Sequence, residues 1–253
     1  FNEQLDKSSY KCSTTGAFPQ KMKYNPLMAA IENPQVYDND GGFLSDYALI
    51  GSKVKQAKGI IGNAIEINES SKLIVLPMGP MMDGYERTLS CWVKTSAKER
   101  RLILNSGSYW GQGQFFNLSI NEGNPELAIR PEIYKSTQNQ SINDGEWHHI
   151  AVVVPRNNST IEDLKLYIDG KLIEDTKTTK PETGINTSQA NWMSVSTQIE
   201  AYKTDLRKSM NMKNYVGLLD DFCIWSRALT DKEIKRIYSK GLKGIDALSI
   251  ENK

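Results

Sequence analysis

The residues best suited to bind a ligand lie in the segment 105–114, which reads Asn-Ser-Gly-Ser-Tyr-Trp-Gly-Gln-Gly-Gln. Tyr109 and Trp110 are adjacent, and a glycine-rich loop cannot easily bury two neighbouring rings. Exposed rings stack on the apolar faces of sugars, and amides such as those of Gln112 and Gln114 bind the hydroxyls. The segment therefore predicts a carbohydrate-binding loop. The alternative is that Trp110 covers the edge of a sheet.

Trp192 is a second aromatic candidate, because it follows Asn191 and lies near Gln189. The combination of a ring with amides again favours contact with a sugar. The alternative is a position in the core. The other tryptophans fall in strand patterns, so we expect them to be structural.

The two histidines, His148 and His149, are the first candidates for acid–base catalysis. No serine, cysteine or acid stands at a spacing that would make either one a general base. Asp220 and Asp221 are adjacent, so on a regular strand they would point to opposite faces and could not flank one bond. The residues thus indicate no catalytic group, and a histidine packed in the fold is the favoured interpretation.

Hard oxygen ligands are concentrated in residues 38–42, Asp-Asn-Asp-Gly-Gly. Asp38 and Asp40 could bind calcium there, because the glycines allow backbone carbonyls to turn inward. The alternative is an Asx turn that uses the same side chains for local hydrogen bonds.

Composition excludes several classes of protein. The 253 residues carry a net charge of +1 with both signs interspersed, which argues against nucleic-acid or membrane-surface binding through a basic field. Mean hydropathy is −0.50 and no apolar run approaches the roughly 20 residues of a membrane span. The chain begins at Phe1 rather than Met, so we expect a processed or truncated product.

Short apolar segments separated by turn residues recur from about residue 60 onward, and this pattern predicts an all-β sandwich or jelly roll. Leu164, Leu166 and Ile168 alternate before Asp169-Gly170, which predicts a hairpin with a type I′ turn. Residues 175–190 and 197–214 are polar, and we interpret them as loops. Residues 1–45 are interrupted by prolines and glycines, and we interpret them as an irregular N-terminal extension.

One helix is predicted near the end of the chain. Thr230 and Glu233 have the spacing of a capping box, and Ile234, Ile237 and Tyr238 follow at helical spacing. Gly241 is the predicted stop. The helix follows a strand over residues 219–225, in which Phe222 and Ile224 are expected to face the core.

Three segments in this order resemble the laminin-G-like jelly roll, the pentraxin-related branch of the concanavalin A-like lectin/glucanase superfamily. They are residues 87–94 (Arg-Thr-Leu-Ser-Cys-Trp-Val-Lys), residues 145–153 with the hairpin at 166–171, and residues 217–229. The resemblance covers roughly residues 45–242. It implies two antiparallel sheets packed face to face, with a closing helix after the last strand. The expected organisation is an extension over 1–45, which could supply the first strand, and a jelly-roll domain with a short tail over 46–253.

The resemblance also bears on the sites. Many members bind a structural calcium between an early Asp-rich loop and the last strand, which implies Asp38 or Asp40 together with Asp220 as ligands. The glucanases carry Glu-x-Asp-x-x-Glu on one strand, and this sequence has no such run. Pentraxins join two core strands by a disulfide, but here Cys91 would face Ala151. A bridge from Cys91 to Cys223 is not expected, because Cys223 would point away from the core.

Together, the residues and the resemblance predict a non-catalytic binding module, secreted or at a cell surface, that binds a glycan. The alternative is a protein-interaction or adhesion module whose partner is a cell-surface protein, and a glycoside hydrolase is less favoured. A fold hosts many functions, so the ligand class depends on the site. The abundance of Asn, Lys, Ser and Thr is typical of a bacterial surface or secreted protein.

Overall fold

A computed structural model of the chain describes residues 43–44, 49–50, 55–69, 74–76, 84–107, 115–187, 193–195, 213–225 and 227–247. These residues form two β-sheets and one helix. In spatial order, the larger sheet contains β1 (Phe43–Leu44), β2 (Leu49–Ile50), β5 (Ile74–Leu76), β15 (Met193–Val195), β7 (Arg101–Gly107), β8 (Phe115–Asn121), β9 (Asn124–Arg130), β10 (Ile133–Thr137) and β14 (Thr176–Thr178), with β16 (Lys213–Asn214) parallel beside β7.

The smaller sheet is antiparallel and contains, in spatial order, β13 (Lys171–Leu172), β12 (Lys165–Ile168), β11 (Trp147–Val154), β6 (Arg87–Lys94), β17 (Gly217–Trp225), β4 (Asn63–Ile67) and β3 (Lys55–Lys58). The helix, α1, spans Asp231–Gly241. This arrangement confirms the predicted two-sheet sandwich with one short helix after the last strand. Among the described residues, no helix is both long and apolar enough to cross a membrane.

The main core lies between the sheets and follows from the two-residue period of the strands. On β6, Leu89, Cys91 and Val93 enter this core, while Trp92 points to the other face. On β11, Ile150 and Val152 enter it. Removing such side chains from water contributes about 25 cal/mol per Å² of apolar surface, which makes the inter-sheet layer the principal source of stability.

A second core lies between the smaller sheet and α1. Ile234 and Ile237 of the helix are buried and share a cluster with Val153 and Trp225 of the sheet. The predicted capping box is present: the Glu233 N–H donates to Thr230 Oγ1 at 3.3 Å, and the Thr230 N–H donates to Glu233 Oε2 at 2.8 Å. The helix therefore covers the outer face of the smaller sheet.

The helix ends at Gly241, as predicted: Gly241 is its last helical residue, and Leu242 is the C-cap. A Cβ at position 241 would lie 2.7 Å from Cζ2 of Trp92, which no side chain allows. The glycine is thus explained by the close approach of the helix to the Trp92 ring.

The predicted hairpin is confirmed. Asp169 and Gly170 have φ values of 51° and 74°, as a type I′ turn requires. Leu164, Leu166 and Ile168 enter the main core, whereas Tyr167 packs beneath the helix.

The polar segment 175–190 is not a plain loop, and this prediction was wrong in part. β14 pairs with β10, and Ile185 enters the main core. β14 reads Thr-Lys-Thr and lies at the edge of its sheet, so it shows no hydrophobic pattern. Likewise, the described end of segment 197–214 forms the short strand β16.

The two described cysteines, Cys91 and Cys223, form no disulfide. Cys91 lies in the main core opposite Ile150, one position from the expected Ala151, and Cys223 lies beneath the helix. Their separation by the sheet confirms that they form no bridge with each other. Ile224 enters the main core and Phe222 packs against it, as predicted.

Candidate functional site

The outer face of the larger sheet carries a row of polar side chains. On β8, Phe116 and Leu118 enter the main core, so the intervening Asn117 and its neighbour Ser119 lie on the outer face. The same alternation places Glu126 of β9 outward, because Leu127 points inward. We call Asn105, Asn117, Ser119, Glu126 and Ser136 the polar face; all five are buried.

Asn105 and Asn117 lie directly opposite each other on β7 and β8. Asn105 Nδ2 donates a hydrogen bond to Asn117 Oδ1. Their exposed fractions are only 2% and 1%, yet Asn105 Oδ1 and Asn117 Nδ2 have no hydrogen-bond partner in the part of the chain that the structure describes. Leaving a buried amide atom unpaired costs about 1–3 kcal/mol, and native proteins usually complete such groups with water or a ligand.

Glu126 forms an ion pair with Arg100 on this face, with both carboxylate oxygens 3.0 Å from one guanidinium nitrogen. Burial raises the pKa of Glu126, and Arg100 opposes this shift. Among the described residues, the other buried carboxylates are Asp220 and Asp221, which belong to the smaller sheet. Glu126 therefore has no described buried partner with which it could flank a glycosidic bond.

An apolar cluster borders the amide groups. It contains Leu102, Phe115 and Ala128, with the half-buried Tyr134 packed against it. Ala128 lies opposite Asn117 on one side and opposite Tyr134 on the other. Leu102, Phe115 and Ala128 are at most 2% exposed, so Tyr134 is the member of this cluster that reaches solvent. An aromatic ring beside amides suits a sugar, which presents both C–H faces and hydroxyls.

The predicted carbohydrate-binding residues Tyr109, Trp110, Gln112, Gln114 and Trp192 lie outside the described residues. The chain nevertheless fixes where their segments attach. Residues 108–114 connect Gly107 at the end of β7 to Phe115 at the start of β8. Trp192 directly precedes Met193, whose backbone lies opposite Ser106. Both predicted segments therefore attach at the same end of three adjacent strands, β15, β7 and β8.

Of the predicted calcium ligands, Asp38 and Asp40 lie outside the described residues. Asp220 is fully buried, and its two oxygens accept hydrogen bonds of 2.8 Å from the N–H groups of Ile61 and Asp221. Burial raises the pKa of Asp220. The described ranges hold no group of three or more His, Cys, Asp or Glu side chains that could bind a metal. Within them, Asp220 acts as an acceptor for the turn between β3 and β4.

Asp220 and Asp221 do not point to opposite faces, contrary to the prediction. A bulge with Asp221 at φ 42° shifts the register between Asp220 and Cys223. Asp220 lies opposite Trp92 on the helix-bearing face, and Asp221 Oδ2 accepts a bond from Ala247 N–H, which follows the helix. The extra residue of the bulge is what brings both carboxylates to one side.

The histidines have structural surroundings. His148 bonds the carboxylates of Asp169 at 2.9 Å and Asp144 at 3.3 Å, and the Asp169 bond raises the pKa of His148. His149 is buried with its ring edge against Trp92, and burial lowers the pKa of His149 to about 4. No nucleophile contacts either ring among these described contacts, which agrees with the packing interpretation.

Sequence reasoning missed the amide residues of the polar face. The available signal was the strict alternation of β8, Phe-Phe-Asn-Leu-Ser-Ile-Asn, which places Asn117 and Ser119 on one side. The pairing of Asn117 with Asn105 depends on a bulge between Leu102 and Leu104, and no pattern in the sequence reveals that register shift.

A laminin-G-type family profile, described as the concanavalin A-like lectin/glucanases superfamily, matches residues 68–235. Because this match covers well over half of the chain, the protein belongs to that family. No curated protein sequence matches the chain.

Solved structures show the same fold. Domain 4 of AbnA, an extracellular GH43 arabinanase from Geobacillus stearothermophilus solved with arabinotriose, has 21% identity and a TM-score of 0.53, covering 74% of this chain and 81% of that one. The binding domain of Paraclostridial Mosquitocidal Protein 1 has 17% identity and a TM-score of 0.51, covering 79% of this chain and 51% of that one. The botulinum neurotoxin serotype G binding domain has 15% identity and a TM-score of 0.53, with coverages of 79% and 47%. The chain thus spans about half of these toxin binding domains.

Proposed function

We propose that this chain is a non-catalytic carbohydrate-binding module, secreted or displayed at a cell surface. The observation that carries the proposal is the buried Asn105–Asn117 pair beside an apolar cluster, in which one amide oxygen and one amide nitrogen have no hydrogen-bond partner among the described residues. A sugar offers hydroxyls to the amide pair and C–H faces to the apolar cluster.

Two further points support the proposal. The predicted loop with Tyr109 and Trp110 connects the two strands that carry these amides, and Trp192 precedes the next strand. In addition, a domain of similar fold was solved with arabinotriose. That ligand belongs to the arabinanase domain, and it serves here as a reason to include arabino-oligosaccharides among the probes.

A non-catalytic role is supported by the surroundings of Glu126, whose carboxylate is held by Arg100. Glycoside hydrolysis would require a second carboxylate across the cleft, about 5–10 Å away. Calcium bound by Asp38 or Asp40 with Asp220 is part of the proposal only as a structural ion, because Asp220 already accepts two backbone N–H bonds.

The test is a glycan-array screen of the purified chain, run with calcium and again with EDTA. The proposal expects reproducible binding to at least one glycan and its loss in the Trp110→Ala variant. Loss of glycan binding in EDTA would indicate that binding requires a calcium ion. A blank array from folded protein in both conditions would overturn the proposal and favour the alternative, a protein-interaction module, to be pursued by pull-down from cell-envelope or host-surface extracts.

A further inference from the structure

We infer that Asn105 and Asn117 bind a sugar hydroxyl, which both donates and accepts hydrogen bonds, and that the pair selects against sugars that present a carboxylate or sulfate group at this position. The inference rests on the proposed function and narrows it to a ligand class and two residues. It depends only on described side chains of β7 and β8.

The amide pair does not use all of its hydrogen-bonding capacity internally. One bond joins the two amides, from Asn105 Nδ2 to Asn117 Oδ1. This leaves the Asn105 oxygen as an acceptor and the Asn117 nitrogen as a donor. Turning both amides over would exchange the two roles but would still leave one nitrogen atom and one oxygen atom without a partner.

The two atoms without a partner match a ligand group that can both donate and accept hydrogen bonds. A hydroxyl group donates one hydrogen bond and accepts others, so one hydroxyl or two vicinal hydroxyls can satisfy both open atoms. A carboxylate or a sulfate ester only accepts, and it would leave the Asn105 oxygen facing a negative charge. Leaving a polar group unpaired in a buried site is strongly discriminating.

The charged side chains near the amide pair either have partners or are exposed to solvent. The Arg100 guanidinium, which could have bound an acidic sugar, is already paired with Glu126. Arg130, two residues after Ala128 on the same face of β9, is half-buried and also has an interaction partner. Lys177 lies opposite Ser136 toward the edge strand and is exposed, so its field is screened by solvent. The immediate neighbours of Asn117 are instead Asn105 and Ala128.

The experiment compares the wild-type chain with the double variant Asn105→Leu/Asn117→Leu on an array that contains neutral glycans, including arabinotriose, and uronate, sialylated and sulfated glycans. Ser90→Ala is the matched control, because it removes a buried hydroxyl that has no partner among the described residues, from β6 of the smaller sheet and outside the polar face. Thermal unfolding of each variant without ligand is measured in parallel.

The expected result is wild-type binding to neutral glycans, with at least a tenfold loss in the double variant and less than a threefold change in Ser90→Ala. The double variant should unfold at the same or a higher temperature, because replacing both partners of an unsatisfied buried pair by apolar groups is neutral or stabilising. A residue pair kept only for structure would instead lower the unfolding temperature.

Three results would overturn the inference when the double variant folds. Binding confined to acidic glycans contradicts the ligand class, and unchanged binding by the double variant contradicts the role of the pair; in both cases the proposed function stands. A blank array with folded wild-type protein removes the proposed function and the inference together. If the double variant does not fold, Asn117→Asp replaces it: this change removes the open donor at nearly constant shape and should cost binding to neutral glycans at least tenfold, whereas equal binding would contradict the inference.

Discussion

Asp221 accepts a 2.9 Å hydrogen bond at Oδ2 from the backbone N–H of Ala247, which joins the residues after the helix to the last strand of the smaller sheet. Ala247 is itself buried in the cluster beneath the helix. A single carboxylate in a bulge thus holds the C-terminal end of the described chain against the sheet.

Asp221 should make the protein less stable as the pH rises. Burial raises its pKa from 3.8 to about 6, so the folded protein binds this proton more tightly than the unfolded chain does. The stabilisation is complete below pH 3.8 and is lost as the pH rises through 6, by on the order of 3 kcal/mol. In the Asp221→Asn variant, the difference in unfolding free energy from wild type should grow in favour of the variant between pH 4 and pH 7, as measured by urea unfolding. A constant difference across this range would contradict the prediction.

His149 should make the protein less stable as the pH falls, the opposite of the effect of Asp221, over an overlapping pH range. Burial lowers its pKa from 6.5 to about 4, so its contribution is complete above pH 6.5 and is lost as the pH falls through 4. Replacing it by phenylalanine keeps a ring against Trp92 and removes the titration. The variant should gain on the order of 3 kcal/mol relative to wild type on going from pH 7 to pH 4. Parallel unfolding curves at both pH values would show that His149 does not titrate as described.

The capping box should contribute measurably to stability. Thr230→Ala removes the acceptor for the Glu233 N–H and should cost about 1 kcal/mol of unfolding free energy. Ser239→Ala is the control, because its hydroxyl bonds the Lys235 carbonyl within the exposed part of the same helix. That change should stay within about 0.5 kcal/mol. Equal effects of the two substitutions would remove the special role of Thr230.

Gly241 should be sensitive to a single added methyl group. Its Cβ would meet the Trp92 ring at 2.7 Å, so Gly241→Ala should lower stability by about 1–3 kcal/mol. Gly184→Ala is the control, because nothing lies within 4 Å of its Cβ position. The control should be neutral or slightly stabilising in thermal unfolding. A neutral Gly241→Ala variant would mean that the helix can move away from Trp92.

The fold was predictable because its main features are local or periodic. The alternation around Leu166, the positive-φ pair Asp169-Gly170 and the Thr230–Glu233 spacing each determine a structure that follows directly along the chain. Family resemblance then gave their arrangement. β14 was missed because an edge strand needs no apolar face, and the common side of Asp220 and Asp221 was missed because a bulge inverts the alternation.

The candidate site was less predictable than the fold. Aromatic and amide residues of the loop at 109–114 could be chosen by composition, whereas the partnership of Asn105 with Asn117 requires knowledge of which strands are neighbours. A polar residue on a strand looks solvent-exposed in the sequence, and only the tertiary structure shows that both amides are buried with an atom left unpaired.

Carbohydrate binding by this chain can be measured with a glycan array probed with folded wild-type protein beside the Asn105→Leu/Asn117→Leu variant. We expect the wild-type chain to bind one or more neutral glycans and the variant, equally folded, to bind them at least tenfold more weakly. An array that stays blank for the folded wild-type chain, with calcium and with EDTA, would contradict this expectation.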